Sequence, residues 1–283
     1  MSIQSIAVIG AGTMGSGIVQ VCATSGFPVV MIDVAQAALD RGLRTIGASL
    51  ERLVSRQKLG ESDRQAALAR IQVSTTQDPV RECGLVIEAA TENPDLKLRI
   101  FRQLDELASP SAIIASNTSS ISITRLAAAT RRPAQVIGMH FFNPVPVMSL
   151  VELIAGIQTS DETRTAAAEV ATRLGKAVVN VRNSPGFVVN RLLCPMLNEA
   201  CFALSEGLAT AKDIDEAMKL GCNHPIGPLA LCDMVGLDVV LAVMDVLYDS
   251  FKDSKYRPAQ LLLEMVEAGQ LGRKSGRGFY TYS

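Results

Sequence analysis

The stretch Ile-Ala-Val-Ile-Gly-Ala-Gly-Thr-Met-Gly, residues 6–15, decides the fold of this chain. Its first four residues, Ile6–Ile9, form an uninterrupted apolar run, which is typical of a strand that is buried on both faces. A G-x-G-x-x-G turn follows, and the residues from 13 to about 25 have helical spacing. A strand, a glycine turn and a helix in this order predict the first unit of a sheet that binds a dinucleotide.

The glycine turn carries the cofactor prediction. Gly10 would permit the tight turn, Gly12 the close approach of a pyrophosphate, and Gly15 the close packing of helix on strand. We expect the pyrophosphate at the N-terminus of the helix, beside Thr13 and Met14. Free N–H groups and the helix dipole favour an anion at that place.

Asp33 sharpens the prediction to NAD. It ends the next apolar run, Val29–Ile32, with no Arg or Lys beside it. A carboxylate there accepts hydrogen bonds from the adenosine ribose and repels a 2′-phosphate, so NAD is favoured over NADP. FAD uses the same fingerprint, but the second half of the chain offers no evident flavin-binding segment. A glycine turn without a ligand is the structural alternative, and the strand, the helix and the acid together weigh against it.

Further apolar runs predict more strands of the same sheet. They lie at residues 85–88, 113–116, 136–140, 150–154 and 178–181. Apolar strands that alternate with helices predict a doubly wound, parallel sheet covered on both faces. After Asn183-Ser184-Pro185-Gly186 only helical periodicity remains. We therefore expect an α/β, Rossmann-like domain over residues 1–183 and an all-α domain over residues 184–283.

Composition and charge exclude several classes of function. The net charge of −1 gives no indication of nucleic acid or of an anionic membrane surface. The six cysteines form no Cys-x-x-Cys pair and no Cys/His cluster with zinc spacing. We therefore expect no metal, and a reducing, cytoplasmic setting. The first apolar run is too short for a signal sequence, and no stretch has the length and apolar character of a membrane span.

The chain has two histidines, and they differ in position. His140 ends a predicted strand, where open parallel sheets bind their ligands, and imidazole is a suitable base for oxidation of an alcohol. Glu152 lies in an apolar run and is costly there unless paired, so we expect it to orient His140 and stabilise the imidazolium. A core histidine satisfied by backbone is the alternative for His140. His224, beside Pro225, is interpreted as a loop residue.

Taken together, these features resemble the short-chain L-3-hydroxyacyl-CoA dehydrogenase family, in its bacterial 3-hydroxybutyryl-CoA form, over essentially the whole chain. Besides the glycine turn, the most specific stretches are residues 116–120, 140–144, 185–191 and 272–276. The resemblance implies NAD-dependent interconversion of 3-hydroxyacyl-CoA and 3-oxoacyl-CoA, with acetoacetyl-CoA and 3-hydroxybutyryl-CoA as substrates. It also implies that the helical domain serves substrate binding and forms a homodimer.

The resemblance gives roles to four residues at the chemical step. His140 corresponds to the catalytic base and Glu152 to its partner. Ser119 corresponds to the hydroxyl that contacts the substrate 3-oxygen and lies near the nicotinamide. Asn190 corresponds to an amide of the helical domain that contacts the substrate.

The resemblance also implies contacts to the cofactor and to coenzyme A. Further cofactor contacts fall on Glu92, Lys97, Asn117, Asn143 and Lys274, and Lys97 lies near the substrate as well. Ser49 and Arg56 fall at positions that contact the CoA group. Arg56 replaces a lysine common in the family, and either residue supplies a cation for phosphate.

Several of these residues have a plain structural interpretation when they are considered without the resemblance. Ser119 would belong to a turn that caps the following helix. Asn190 would be an ordinary polar position on a helix. Glu92 and Lys97 would form a solvated charge pair beside Pro94.

Two other functions are weighed against this one. A hydroxyacid dehydrogenase of the same plan, such as an L-gulonate-type enzyme, would oxidise free acids, and the CoA-facing positions Ser49 and Arg56 favour the thioester instead. A structural protein that retains the nucleotide fold, as lens crystallins of this lineage do, is the other alternative. The presence of all four candidate catalytic residues argues against it.

Overall fold

The computed structural model describes residues 3–282, which form two compact units that divide between Ser184 and Pro185. The first unit is a sheet with helices, and the second consists of helices with a short C-terminal tail. This order confirms the predicted fold class, an α/β Rossmann-like unit followed by a helical one. The domain roles that the resemblance implies stay predictions.

Eight strands form one sheet in the order β3-β2-β1-β4-β5-β6-β7-β8. The strands are β1 (Ile6–Ile9), β2 (Val29–Ile32), β3 (Ile71–Ser74), β4 (Leu85–Glu88), β5 (Ile113–Ser116), β6 (Val136–Phe141), β7 (Leu150–Ala155) and β8 (Ala177–Arg182). The chain runs outward from β1 to one side through β2 and β3, and then returns to the other side through β4. The carboxyl ends of β1 and β4 therefore flank a topological switch point, the place where such sheets bind ligands.

The prediction of an all-parallel sheet is wrong for the last two strands, because β7 and β8 run opposite to the six strands before them. β7 runs antiparallel to β6, whereas the other adjacent pairs are parallel. An apolar run carries no information about the direction of its strand, so the sequence pattern alone does not reveal this reversal. The reversal matters for the site, because it brings the start of β7 to the carboxyl end of β6.

Burial explains which strands the apolar pattern predicts. Every residue of β1, β2, β4 and β5 is buried, so both faces of these strands are apolar. β3 and β8 lie at the edges of the sheet and are partly exposed, so the expectation of two covered faces is wrong for them. β3, with the sequence Ile-Gln-Val-Ser, has no apolar run and was not predicted.

Six α-helices complete the described part of the first unit, residues 3–184. They are α1 (Thr13–Thr24), α2 (Gln36–Ser55), α3 (Glu61–Ala69), α4 (Pro94–Leu107), α5 (Ile123–Ala127) and α6 (Asp161–Arg173). The start of α4 is fixed by its sequence, because the Asn93 side chain accepts a hydrogen bond from Leu96 N and Pro94 occupies the first helical position. This places Lys97 in the first turn of α4, directly after β4.

The second unit contains α7 (Val189–Ser205), α8 (Ala211–Cys222), α9 (Pro228–Val235), α10 (Leu237–Phe251) and α11 (Gln260–Glu267). Its core includes Cys201, Leu229, Val240 and Leu247, which are fully buried. The tail after α11 forms two isolated β-bridges, Gly272 with Arg277 and Arg277 with Thr281. Among residues 3–282, no helix has both the length and the apolar character needed to cross a membrane.

Candidate active site

The glycine turn connects β1 to α1 at the switch point. Gly10 has a φ of +104°, and a Cβ on it would lie 2.7 Å from Ala89 O. A Cβ on Gly15 would lie 1.9 Å from Gly10 O. Both positions therefore exclude any side chain. Gly12 is exposed, with no atom within 4 Å of the place of its Cβ, so its open side faces away from packed protein.

The N-terminus of α1 has the properties of an anion site. No side chain caps it, and no acidic residue lies in its first turn. Thr13 and Met14 are therefore at a helix end whose dipole and N–H groups are directed at the open side of Gly12. These residues fit the pyrophosphate of a dinucleotide.

The Asp33 carboxylate lies beside the glycine turn. Its Oδ2 accepts a hydrogen bond from Ala11 N at 2.9 Å, and its Oδ1 accepts one from Ala35 N at 3.1 Å. Each carboxylate oxygen keeps further lone pairs, and the side chain is half-buried. The arrangement can therefore accept hydrogen bonds from ribose hydroxyls while it holds the loop after β2.

His140 and Glu152 face each other across β6 and β7. They are register partners of this antiparallel pair, and the distance from His140 Nδ1 to Glu152 Oε2 is 2.7 Å. His140 is 6% exposed and Glu152 is fully buried. The Phe142 ring stacks at a tilt on the imidazole, 4.5 Å between centroids. A strictly parallel β7 would have put Glu152, near the start of its strand, at the opposite edge of the sheet.

Glu92 and Ser119 are in direct contact. Glu92 Oε1 accepts hydrogen bonds from Ser119 N at 2.6 Å and from Ser119 Oγ at 2.7 Å. The Thr118 hydroxyl donates to the same carboxylate and accepts from Ser120 N and Ile121 N. The helix-capping interpretation of Ser119 is wrong, because the cap of α5 is Ser122, which accepts from Arg125 N.

A second buried acid, Glu88, was not identified from the sequence. It ends β4 and is fully buried, and its carboxylate pairs with the ammonium group of Lys97, which is 1% exposed. The interpretation of Lys97 as a solvated charge is therefore wrong. Glu88 Oε2 also accepts from Ser116 Oγ at 3.1 Å, and its Oε1 accepts from Ala90 N at 2.9 Å. The cost of an unpaired acid in an apolar run, which identified Glu152, was an equally valid signal here.

Asn117 joins the ends of two strands near His140. Its N–H donates to Glu88 O at 2.8 Å, and its Oδ1 accepts from Phe141 N at 2.9 Å. Asn143, three residues beyond His140, is exposed. Gly10, Glu88, Ser116 and His140 all lie at or next to the carboxyl ends of neighbouring strands, so the sheet brings them to one edge.

The remaining predicted contacts lie outside this cluster of hydrogen bonds. Ser49 is half-buried on α2, and Arg56 is exposed at the C-terminal end of that helix. Asn190 is half-buried in the first turn of α7. Lys274, in the C-terminal tail, forms an ion pair with Asp238 at the start of α10.

The second histidine and the cysteines have structural surroundings. His224 is half-buried in the loop after α8, where its N–H donates to Met218 O, as its interpretation as a loop residue predicts. Five of the six cysteines are buried, and burial raises the pKa of Cys22 and of Cys194 to about 12. Within residues 3–282, no cluster of three or more His, Cys, Asp or Glu side chains is arranged to hold a metal ion.

The fold and this edge of the sheet define a class of protein. A glycine turn with an acid after β2 fits NAD, and a histidine with a carboxylate partner suits the interconversion of an alcohol and a ketone. The class is therefore an NAD-dependent oxidoreductase that acts on a CH–OH group.

Comparison with known proteins gives the family. Residues 5–184 match the family model described as 3-hydroxyacyl-CoA dehydrogenase, NAD binding domain, and residues 186–282 match the model of its C-terminal domain. The chain belongs to the 3-hydroxyacyl-CoA dehydrogenase family.

Individual relatives are similar over their full length. The chain is 51% identical to 3-hydroxybutyryl-CoA dehydrogenase of Bradyrhizobium diazoefficiens, over 99% of this chain and 96% of the relative. It is 54% identical to a probable 3-hydroxybutyryl-CoA dehydrogenase of Deinococcus radiodurans, over 97% and 99%. The crystal structure of (S)-3-hydroxybutyryl-CoA dehydrogenase from Ralstonia eutropha superposes with a TM-score of 0.97 at 60% identity, covering all of both chains.

Proposed function

We propose that this chain is an NAD-dependent (S)-3-hydroxybutyryl-CoA dehydrogenase, which interconverts 3-hydroxybutyryl-CoA and acetoacetyl-CoA with His140 and Glu152 as its acid/base pair. The observation that carries the proposal is the buried hydrogen bond between His140 Nδ1 and Glu152 Oε2, at the same edge of the sheet as the glycine turn. The substrate follows from the names of the relatives that match over the whole chain.

The carboxylate at Nδ1 sets the role of the imidazole. An ionised Glu152 only accepts hydrogen bonds, so the Nδ1 atom of His140 carries its proton and Nε2 is the basic nitrogen. In the oxidative direction Nε2 removes the proton of the 3-hydroxyl, and Glu152 stabilises the imidazolium that results. In the reductive direction the imidazolium returns this proton to the 3-oxygen. The chemistry that bound NAD supplies is hydride transfer to and from C3.

Ser119 is proposed to position the substrate oxygen. Its hydroxyl has one hydrogen, which it donates to Glu92, and two acceptor lone pairs. The 3-hydroxyl of the alcohol has a single hydrogen, which is directed at His140 Nε2, so Ser119 contacts the 3-oxygen as a donor. To donate to this oxygen, its hydroxyl must turn away from Glu92, whose carboxylate keeps the hydrogen bonds from Ser119 N and Thr118 Oγ1.

The other assignments extend the proposal to binding. Residues of the glycine turn, Asp33, Glu92, Lys97, Asn117, Asn143 and Lys274 are proposed as cofactor contacts, and Ser49, Arg56, Lys97 and Asn190 as substrate or CoA contacts. A homodimer formed through the helical unit and a cytoplasmic location complete the proposal.

A steady-state substrate comparison tests this proposal. We expect kcat/KM for acetoacetyl-CoA with NADH to exceed the values for free acetoacetate and for gulonate with the matching form of the cofactor by at least two orders of magnitude. NADPH in place of NADH should lower kcat/KM, because Asp33 repels a 2′-phosphate. Equal or better use of the free acids would overturn the thioester assignment. It would identify a hydroxyacid dehydrogenase of the same plan.

A further inference from the structure

The pair of Glu88 and Lys97 connects the end of β4 with Glu92, which is a proposed cofactor contact, as Lys97 is. Glu88 is the register partner of Ile9 on one side and of Ser116 on the other, so it occupies the centre of the sheet edge. Its two carboxylate oxygens accept hydrogen bonds from Ala90 N, from Ser116 Oγ and from Lys97. Three donor groups thus hold the acid in place.

Stability alone is a weak reason for such a pair. Both side chains are removed from water, and the cost of this desolvation offsets most of the attraction between the charges. Apolar residues of similar volume commonly replace buried ion pairs without loss of stability. The charges of Glu88 and Lys97 therefore need an explanation other than stability, and the groups near them suggest one.

The charges of the pair reach the site through Glu92. Lys97 Nζ lies 3.8 Å from Glu92 Oε2, and Glu92 in turn holds the N–H and hydroxyl groups of Ser119. Glu88 binds Lys97 more closely than Glu92 does, so the ammonium charge is balanced from the buried side. The three side chains together carry two negative charges and one positive charge. One negative charge therefore remains, on the exposed member, Glu92.

We propose that Glu88 is a positioning residue, which fixes Lys97 and neutralises its charge so that Glu92 keeps a net negative charge beside the nicotinamide. This inference rests on the proposed function, in which Glu92 is a cofactor contact and its hydrogen-bond partner Ser119 lies near that ring. Oxidised nicotinamide carries a positive charge and reduced nicotinamide does not. The charge cluster of Glu88, Lys97 and Glu92 therefore favours NAD⁺ over NADH, and Glu88 sets the size of this preference.

Three variants change the charge of the cluster in known steps. Glu88→Gln leaves the cluster with no net charge, Lys97→Met leaves two negative charges, and the double variant restores one. Calorimetry gives the dissociation constants of NAD⁺ and NADH for each protein. The ratio compared is the dissociation constant of NAD⁺ divided by that of NADH. We expect Glu88→Gln to raise the NAD⁺/NADH ratio about 3- to 10-fold, since a unit charge acts over a short distance in a partly screened site.

The other variants make the test specific for charge. Lys97→Met should lower the ratio, and the double variant should return it to within about twofold of wild type even though both affinities fall. Glu88→Asp, which keeps the charge, should rescue the ratio. If Glu88→Gln does not fold, the lower ratio expected of Lys97→Met and its return towards the wild-type value in the double variant still decide the question.

Asp105 supplies a matched control at the other end of α4. It is 4% exposed and is bound by Arg131 and Arg132. Asp105→Asn should therefore lower the melting temperature without changing the ratio. Equal ratios in wild type and all Glu88 and Lys97 variants would overturn the proposal. Failure of the proposed function is a separate result, namely wild-type protein that binds both nucleotides but does not turn over acetoacetyl-CoA.

Discussion

The two units differ in what their buried carboxylates contact. In the sheet unit, Glu88 meets the ammonium group of Lys97 and Glu152 meets the imidazole of His140. In the helical unit, the buried acids Asp215 and Asp233 accept hydrogen bonds from main-chain N–H groups and tyrosine hydroxyls. The first set of partners carries or can acquire charge, whereas the second is neutral.

The contacts in the helical unit tie down the C-terminal tail. Asp233, near the end of α9, accepts from Phe279 N, Tyr280 N and the Tyr282 hydroxyl. A Cβ on Gly278 would lie 2.0 Å from Asp233 Oδ1, so only glycine lets the tail approach this closely.

Asp215, on α8, holds the start of α9 and the C-terminal tail together in the same way. It accepts from Leu229 N and Ala230 N, and from the Tyr280 hydroxyl at 2.7 Å. Burial, and after it the hydrogen bond with Asp215, raise the pKa of Tyr280, so its hydroxyl stays protonated and remains a donor.

This difference shows that the partners of a buried acid indicate its role. An acid whose partners are N–H and tyrosine O–H groups has a fixed set of hydrogen bonds, and it holds segments of the chain together. An acid whose partner is an imidazole controls where a proton sits. Loss of the acid therefore predicts a loss of stability at Asp215 and Asp233 and a loss of turnover at Glu152.

The largest expected effect is that of Glu152→Gln. The amide of Gln can donate to His140 Nδ1, which moves the imidazole proton to Nε2 and removes the basic nitrogen from the site. We expect kcat for oxidation of 3-hydroxybutyryl-CoA to fall ~10²–10⁴-fold, the usual contribution of general acid–base catalysis. The measurement is steady-state turnover together with a thermal melt.

Glu169→Gln is the matched control for this variant. Glu169 is an exposed acid on α6 in the same unit, so its replacement should leave both turnover and melting temperature near wild type. A Glu152→Gln protein that keeps near-normal kcat would show that the pair in the sheet unit is structural, like the acids of the helical unit.

For Asp233→Asn we expect a smaller effect, which lowers stability rather than turnover. The new amide nitrogen would face a donor that Asp233 now satisfies, which leaves a buried polar group unpaired and costs about 2 kcal/mol. Chemical denaturation should show this loss of the free energy of unfolding, while kcat of the folded protein stays within a few-fold of wild type. A large fall in kcat with unchanged stability would contradict the division between the two units.

The central strands of the sheet and the glycine turn were predictable from the sequence because burial on both faces leaves a continuous apolar run. β1, β2, β4 and β5 show this directly. The edge strand β3 was not predictable in this way, since its exposed residues are polar. The direction of β7 was not predictable either, because antiparallel pairing depends on the path of the loop from 142 to 149.

The site was predictable where burial of an unpaired charged side chain has an evident free-energy cost. Glu152 in an apolar run required a partner, and His140 was the available one, so their contact was expected and is observed. Glu88 carried the same signal at the end of β4, but its partner Lys97 stands beside Asn93 and Pro94, where a charge suggests solvent. Only the fold shows that the Lys97 side chain reaches Glu88 at the end of β4 and is buried there.

The most direct test of the account is His140→Gln, with turnover and nucleotide binding measured on the same protein. The account predicts a ~10²–10⁴-fold lower kcat for reduction of acetoacetyl-CoA, because no group remains to deliver the proton. It also predicts a dissociation constant for NADH close to that of wild type, because the glycine turn and Asp33 are untouched. Near-normal kcat in this variant would contradict the account.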